Sequence, residues 1–164
     1  MYAPNNMDQI TDKIWLGNAK SARNVKDLKA NGISKVLSIM NNPPYTYKET
    51  DNILLKYIEI YDKPRENIIQ YFGECLNFIE GNEKVLVHCI FGKSRSACIV
   101  IAYLIWKEKK SLDESLNFVN QRRRMAIPNI GFQKQLIMFE KLLKENKYDL
   151  NKIKFKNIEW NYKC

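Results

Sequence analysis

With one histidine and no Cys-x-x-Cys pair, this chain has little from which to build a zinc site. Its four cysteines, Cys75, Cys89, Cys98 and Cys164, follow no framework spacing, which argues against a secreted disulfide scaffold and for a reducing compartment. Met1 to Lys13 contain no apolar stretch of the secretory type, and the apolar run Ala97–Trp106 is too short to cross a bilayer. Repeats and low-complexity segments are missing too. These absences predict an intracellular globular protein, cytoplasmic with the nucleus as a second location. Its 164 residues suit one domain with a substantial core.

Acidic residues are in deficit: 18 Asp and Glu stand against 27 Lys and Arg, a formal charge of +9. Such a surface favours anionic partners, among them phosphorylated proteins and acidic or RNA-containing assemblies. Part of the excess is local. Lys141–Cys164 holds seven lysines against Glu145, Asp149 and Glu159, a balance of +4. Residues 146–164 therefore read as a basic extension, either a solvated tail or a binding patch, and Arg122-Arg123-Arg124 reads the same way.

The informative stretch is Val85-Leu86-Val87-His88-Cys89-Ile90-Phe91-Gly92-Lys93-Ser94-Arg95-Ser96. Val85–Val87 is apolar and β-branched, suited to a buried strand, whereas the apolar run after Ser96 has the length of a helix. Between them, an arginine follows the cysteine at six positions. This spacing lets the backbone N–H groups of Ile90 to Arg95 curl inward, with a helix N-terminus and the Arg95 guanidinium facing the same cup. Such a cup holds a tetrahedral dianion. A helix N-terminus beside an arginine also favours a thiolate, so Cys89 is expected to be a nucleophile. In isolation a His-Cys pair reads as ordinary core; the complete strand, loop and helix turns the reading toward chemistry.

The rest of the chain alternates strands and helices. Ile10–Leu16 is a predicted strand, with Ile14 and Leu16 on one face and Trp15 on the other. Asn24 caps a short helix to Ala30, Lys35–Met40 and Leu54–Tyr61 are strands, and residues 41–52 form a loop. Asn67 caps a helix bearing Ile68, Ile69, Phe72, Leu76 and Ile79. Ser111 and Glu114 form a capping box for a helix that carries Leu116 and Val119 inward. A last helix spans Phe132–Lys144, with Leu136, Phe139, Leu142 and Leu143 on or beside its apolar face. The predicted fold is α/β: a mostly parallel twisted sheet flanked by helices, with the phosphate loop at a strand's end, where such sheets place ligands.

His-Cys, five residues and Arg-Ser resemble the signature of the cysteine-based protein tyrosine phosphatases, and Gly92 with Ser94-Arg95-Ser96 resembles their compact dual-specificity branch. Ile10-Thr11-Asp12, Leu16-Gly17, Pro128-Asn129, Gly131-Phe132, Gln135-Leu136 and Phe139-Glu140 also look like their counterparts there, covering roughly residues 8 to 145. The resemblance implies a catalytic domain over 1–145, no cofactor and no metal. It implies turnover of phosphotyrosine and phosphoserine or phosphothreonine through a phosphocysteine. Cys89 is the implied nucleophile and Arg95 the bidentate phosphate ligand. Asp62, 27 residues before Cys89, is the implied general acid, with Asp51, Glu59 and Glu66 as weaker candidates. Ser96 matches the hydroxyl that helps sulfur leave, although a serine there also suits a helix cap. His88 is expected to orient the loop; Cys75, Cys98 and Cys164 have no expected catalytic role.

Lys93 and Phe91 depart from the small residues usual in that branch. An added cation motivates an alternative substrate, an inositol lipid or an RNA 5′ phosphate, although Lys93 pointing to solvent is the simpler expectation. Asp62-Lys63-Pro64 and the basic Tyr148–Lys156 segment resemble an atypical subgroup whose members add a C-terminal zinc-binding domain and are linked to ribosome assembly. No such domain lies within these residues, so the chain is expected to be part of such a protein or a different relative. A binding scaffold is the remaining alternative.

Overall fold

The computed structural model describes residues 4–163. Its sheet follows the order β1 (Met7–Gln9), β2 (Ile14–Gly17), β5 (Lys84–His88), β3 (Ile33–Met40), β4 (Leu54–Glu59). The four strands from β2 to β4 run parallel, and β1 pairs antiparallel at one edge. The predicted α/β class is thus the observed one.

Alternation along the strands sends side chains to two unequal layers. Ile14, Leu16, Leu37, Ile39, Val85 and Val87 face a large core beneath α3 (Phe72–Ile79), α4 (Arg95–Lys107), α5 (Leu112–Arg122) and α6 (Ile130–Glu145). Trp15, Val36 and Leu86 face a smaller core with Ala22 of α1 (Ala19–Arg23) and Leu28 of α2 (Val25–Ala30). Helix α4 is buried from Arg95 to Ile105, so the phosphate loop that precedes it is anchored to the middle of the domain.

Local chemistry sets the element ends. Asn18, Asn24, Ser111 and Asn129 cap α1, α2, α5 and α6, and Ser111 and Glu114 form the predicted reciprocal box. Val119 is fully buried, while Leu116 packs at the edge of the core. Three expectations change. Ile10–Leu16 is not one strand: Ile10 N–H donates to Ile14 O at 2.8 Å, and Thr11 Oγ1 accepts from Ile14 N–H at 3.0 Å, closing a turn between β1 and β2. Helix α1 was not anticipated. Residues after Asn67 first form a 3-10 turn, Ile69–Tyr71, because Ile69 N–H donates across the core to Gln135 Oε1 at 3.0 Å.

The segment after Glu145 is not a solvated tail. Leu150, Ile153 and Phe155 are buried, and Phe155 packs against Phe139 of α6 with ring centroids 6.0 Å apart. Among the described residues no helix is long and apolar enough to cross a membrane. Cys164 and residues 1–3 lie outside the described residues.

Candidate active site

Strand β5 ends at His88, in register with Ser38 of β3 and Gly17 of β2, so Cys89 begins the loop at the carboxyl edge of the sheet. The imidazole is fully buried. Its Nδ1 faces the Cys89 carbonyl at 3.2 Å, which only accepts, so Nδ1 carries the proton. Nε2 then accepts from the Ser38 hydroxyl at 2.6 Å. Burial holds the His88 pKa down at about 4, the hydrogen bond to the Cys89 carbonyl opposing it, and the ring is neutral. A neutral imidazole bonded on both sides joins β3 to the start of the loop and has no free proton to donate.

Beyond Cys89 the carbonyls are fixed outward. Ile90 O accepts from Ala19 N–H at 3.1 Å, and Gly92 O and Phe91 O accept from Arg123 Nε and Nη2 at 2.9 and 3.3 Å. Every described peptide is trans. The N–H groups of Phe91, Gly92 and Lys93 therefore point opposite to those carbonyls, into the cup. Gly92 has φ +65°, and a Cβ there would lie 2.5 Å from Gly17 O, so the turn requires glycine on both counts. Phe91 and Lys93 stand exposed at the rim.

Arg123 corrects the reading of residues 122–124 as a solvated run. Its side chain is 3% exposed, and Nη1 bonds Asn5 O at 2.9 Å and Asp8 Oδ2 at 2.7 Å. One guanidinium thus joins the phosphate loop to the edge of the sheet. Charge composition alone offers no signal that separates it from its exposed neighbours Arg122 and Arg124.

Cys89 is 2% exposed, and its Sγ lies 3.1 Å from Ser96 Oγ. Ser96 is inside α4, not at its cap; Ser94 holds the cap position and makes no side-chain cap bond. The first N–H groups of α4 are consequently left for a ligand. Arg95 is also buried. Its Nη1 donates to Asn41 Oδ1 at 2.8 Å and Ile60 O at 3.0 Å, and its sealed Nε–H has no partner among the described residues. A buried donor of this kind fits an oxyanion.

Asp62 follows β4 and is exposed. Asn129 ties it to the cup: Asn129 Nδ2 donates to Asp62 Oδ1 at 2.9 Å, while Asn129 N–H donates to Ser94 Oγ at 2.9 Å. Asn129 also caps α6, accepting from Phe132 N–H at 2.9 Å. Its place before a helix was legible; its bridge between two loops was not. Asp51 ends the 3-10 turn Glu49–Asp51 and pairs with Lys29 at 3.2 Å, whereas Glu59 ends β4 and Glu66 O accepts from Gln135 Nε2 at 2.9 Å. Burial pushes the Cys75 and Cys98 thiols upward, so both stay protonated in the core. Among the described residues no three His, Cys, Asp or Glu side chains gather as a metal site.

Comparison with known proteins agrees with this geometry. Dual specificity protein phosphatase 1B of Arabidopsis thaliana is 36% identical over 146 residues, covering 85% of each chain. The human tyrosine phosphatase-like serine/threonine/tyrosine-interacting protein superposes with a TM-score of 0.78 at 31% identity, covering 84% of this chain and 97% of that one. The Yvh1 phosphatase domain from Chaetomium thermophilum gives 0.75 at 27% identity, covering 83% and 96%. Residues 14–142 match the model of the dual specificity phosphatase catalytic domain, and it is to this family of cysteine-based protein phosphatases that the chain belongs.

Proposed function

We propose that this cup hydrolyses phosphotyrosine and phosphoserine or phosphothreonine in protein substrates, with Cys89, Arg95, Asp62 and Ser96 as the reacting set. The observation that carries the assignment is the Cys89 Sγ at the floor of a loop whose Ile90, Phe91 and Gly92 carbonyls are bonded outward. Cys89 attacks phosphorus as the thiolate, the P–O bond to the leaving group breaks, and Asp62 gives its proton to the departing oxygen. The loop N–H groups and Arg95 hold the three remaining oxygens. Water then attacks the phosphocysteine, passes its proton to the Asp62 carboxylate, and the P–S bond breaks. Ser96, in hydrogen-bond contact with Sγ, donates to the sulfur as it leaves.

The surroundings favour a protein over a small anion. Among the described residues eight large apolar side chains are exposed; five of them, Tyr45, Tyr61, Phe91, Met125 and Ile127, sit on loops around the cup, and a sixth, Ile130, starts α6. Such a rim recognises residues flanking a phosphorylated side chain. Lys93 and the basic surface motivate the second reading, an inositol lipid or RNA 5′ phosphate. Action in the cytoplasm or nucleus is supported by three buried cysteines left as free thiols.

Hydrolysis of an aryl phosphate by the full chain, with chelator present, is the first test. Cys89→Ser is expected to lower turnover by at least about 10⁴-fold while tungstate still binds. Asp62→Asn is expected to slow a phosphoserine peptide far more than an aryl phosphate with a good leaving group. Equal slowing of both substrates removes Asp62 as the acid, and turnover of lipid or RNA alone replaces the protein substrate.

A further inference from the structure

The general-acid loop, residues 62–67, is gripped from two sides. On one side lies the start of α6. A Cβ on Gly131 would fall 2.0 Å from Pro64 O, Gln135 Nε2 donates to Glu66 O at 2.9 Å, and Asn129 holds Asp62. On the other side lies the segment that follows α6. Asn67 Nδ2 donates to Ile158 O at 2.8 Å, and Trp160 Nε1 donates to Pro64 O at 2.8 Å, only two residues from the carboxylate.

That second grip is itself anchored. Phe155 is buried against Phe139, Lys156 Nζ bonds Glu74 Oε1 at 2.8 Å and sits 4.5 Å over the Tyr71 ring, and Lys134 lies 5.0 Å over Tyr162. The lysines that look like a solvated run in sequence include one that fastens this segment to α3. The catalytic chemistry uses none of it, yet its two hydrogen bonds end on the loop that carries the acid.

We infer that residues 155–162 are a strap that positions Asp62, with Trp160 as its principal positioning residue. This rests on Asp62 being the general acid. The Trp160 bond fixes the Pro64 carbonyl and the Ile158 bond fixes Asn67, so the loop is tied at its middle and at its far end and Asp62 is held over the cup. Releasing the strap leaves the loop held from the α6 side alone, by Asn129, Gln135 and the packing of Gly131 on Pro64. Cup binding of the phosphoryl group is unaffected, because no strap residue touches residues 89–96 in the hydrogen bonds described.

Trp160→Phe removes the N–H and keeps the ring, and a chain ending at Glu159 removes the strap's outer part while Phe155 remains in the core. Each is compared with Asp62→Asn and with Asp62→Asn/Trp160→Phe in the full chain. The strap variants are expected to lower kcat on a phosphoserine peptide about three- to tenfold, a modest share of the loss a misplaced catalytic group brings. Turnover of an aryl phosphate with a good leaving group and inhibition by tungstate should not change. The double variant should be no slower than Asp62→Asn alone, and amide exchange over residues 62–67 should quicken. Unchanged exchange, or equal loss on both substrates, overturns the strap. If Asp62→Asn shows no leaving-group dependence, the acid assignment fails and the strap's catalytic role fails with it, whereas discrimination by Asp62→Asn but not by Trp160→Phe overturns the strap alone.

Discussion

The two loops that meet over the phosphate site are held by different means. Residues 89–95 grow out of a central strand into a buried helix, and their carbonyls are bonded by Ala19 and Arg123. Residues 62–67 follow a strand adjacent to solvent, with Asp62, Lys63 and Arg65 exposed. The first loop must present several donors to a charge at once, so its geometry is built into the core. In the proposed mechanism the second delivers one proton, and a few tethers suffice. Defects in the first should therefore damage every substrate; defects in the second should damage only those whose leaving group needs the proton.

Breaking the first loop gives the largest expected effect. Arg123→Leu leaves the Phe91 and Gly92 carbonyls without their donor and Asp8 without its cationic partner. Loss of a buried charge partner costs on the order of 3 kcal/mol, and loss of aligned donors about 10²-fold in kcat. We expect both aryl and alkyl phosphates to slow together and tungstate binding to weaken, with stability followed by urea unfolding. Arg123→Lys should restore little, because a point charge cannot reach two carbonyls and a carboxylate with fixed geometry. Selective loss on alkyl substrates alone would contradict the division between the loops.

Gly131→Ala strikes the second loop. The added methyl meets Pro64 backbone atoms at 2.0 to 2.5 Å, and the exposed loop is the side free to give way. A displacement of about 1 Å is enough to cost up to ~10²-fold where a catalytic group must be aligned. The loss should appear on phosphoserine peptide and be small on an aryl phosphate with a good leaving group. Uniform loss on both would mean that the start of α6 supports the cup as much as the acid, through Asn129 and Ser94.

Much of this division was legible in sequence, and what was hidden has a common cause. The cup was visible because its parts are consecutive: Cys89, Gly92, Arg95 and Ser96 lie within one strand-loop-helix unit whose periodicity is plain. The Asp62 loop was visible through Pro64 and a strand end. Arg123, Ser38, Asn41 and Trp160 were invisible because each acts across a long separation, and their residue types also suit ordinary surface or core. Arg123 sat among three arginines and Trp160 in a lysine-rich segment, where composition suggests solvent. The hairpin turn at Thr11 was missed for a local reason: a continuous apolar reading from Ile10 to Leu16 passed over the turn formers Thr11 and Asp12.

The smallest expected effect on turnover concerns His88, and it sharpens the comparison by tying the stability of the buried loop to pH. The ring titrates at about 4 when folded and near 6.5 when unfolded. Above 6.5 neither state binds the proton and the bonds to Ser38 and Cys89 are intact. As pH falls below that value the unfolded chain takes up a proton that the folded one resists, so stability declines until about pH 4, where the folded ring also protonates. The full difference amounts to about 3 kcal/mol. Wild type and His88→Asn should therefore differ most near pH 7.5 and converge by about this amount toward pH 4 in urea unfolding, since the carboxylates titrate in both. Parallel curves over that range would mean that the ring is not held neutral and that Nε2 does not accept from the Ser38 hydroxyl.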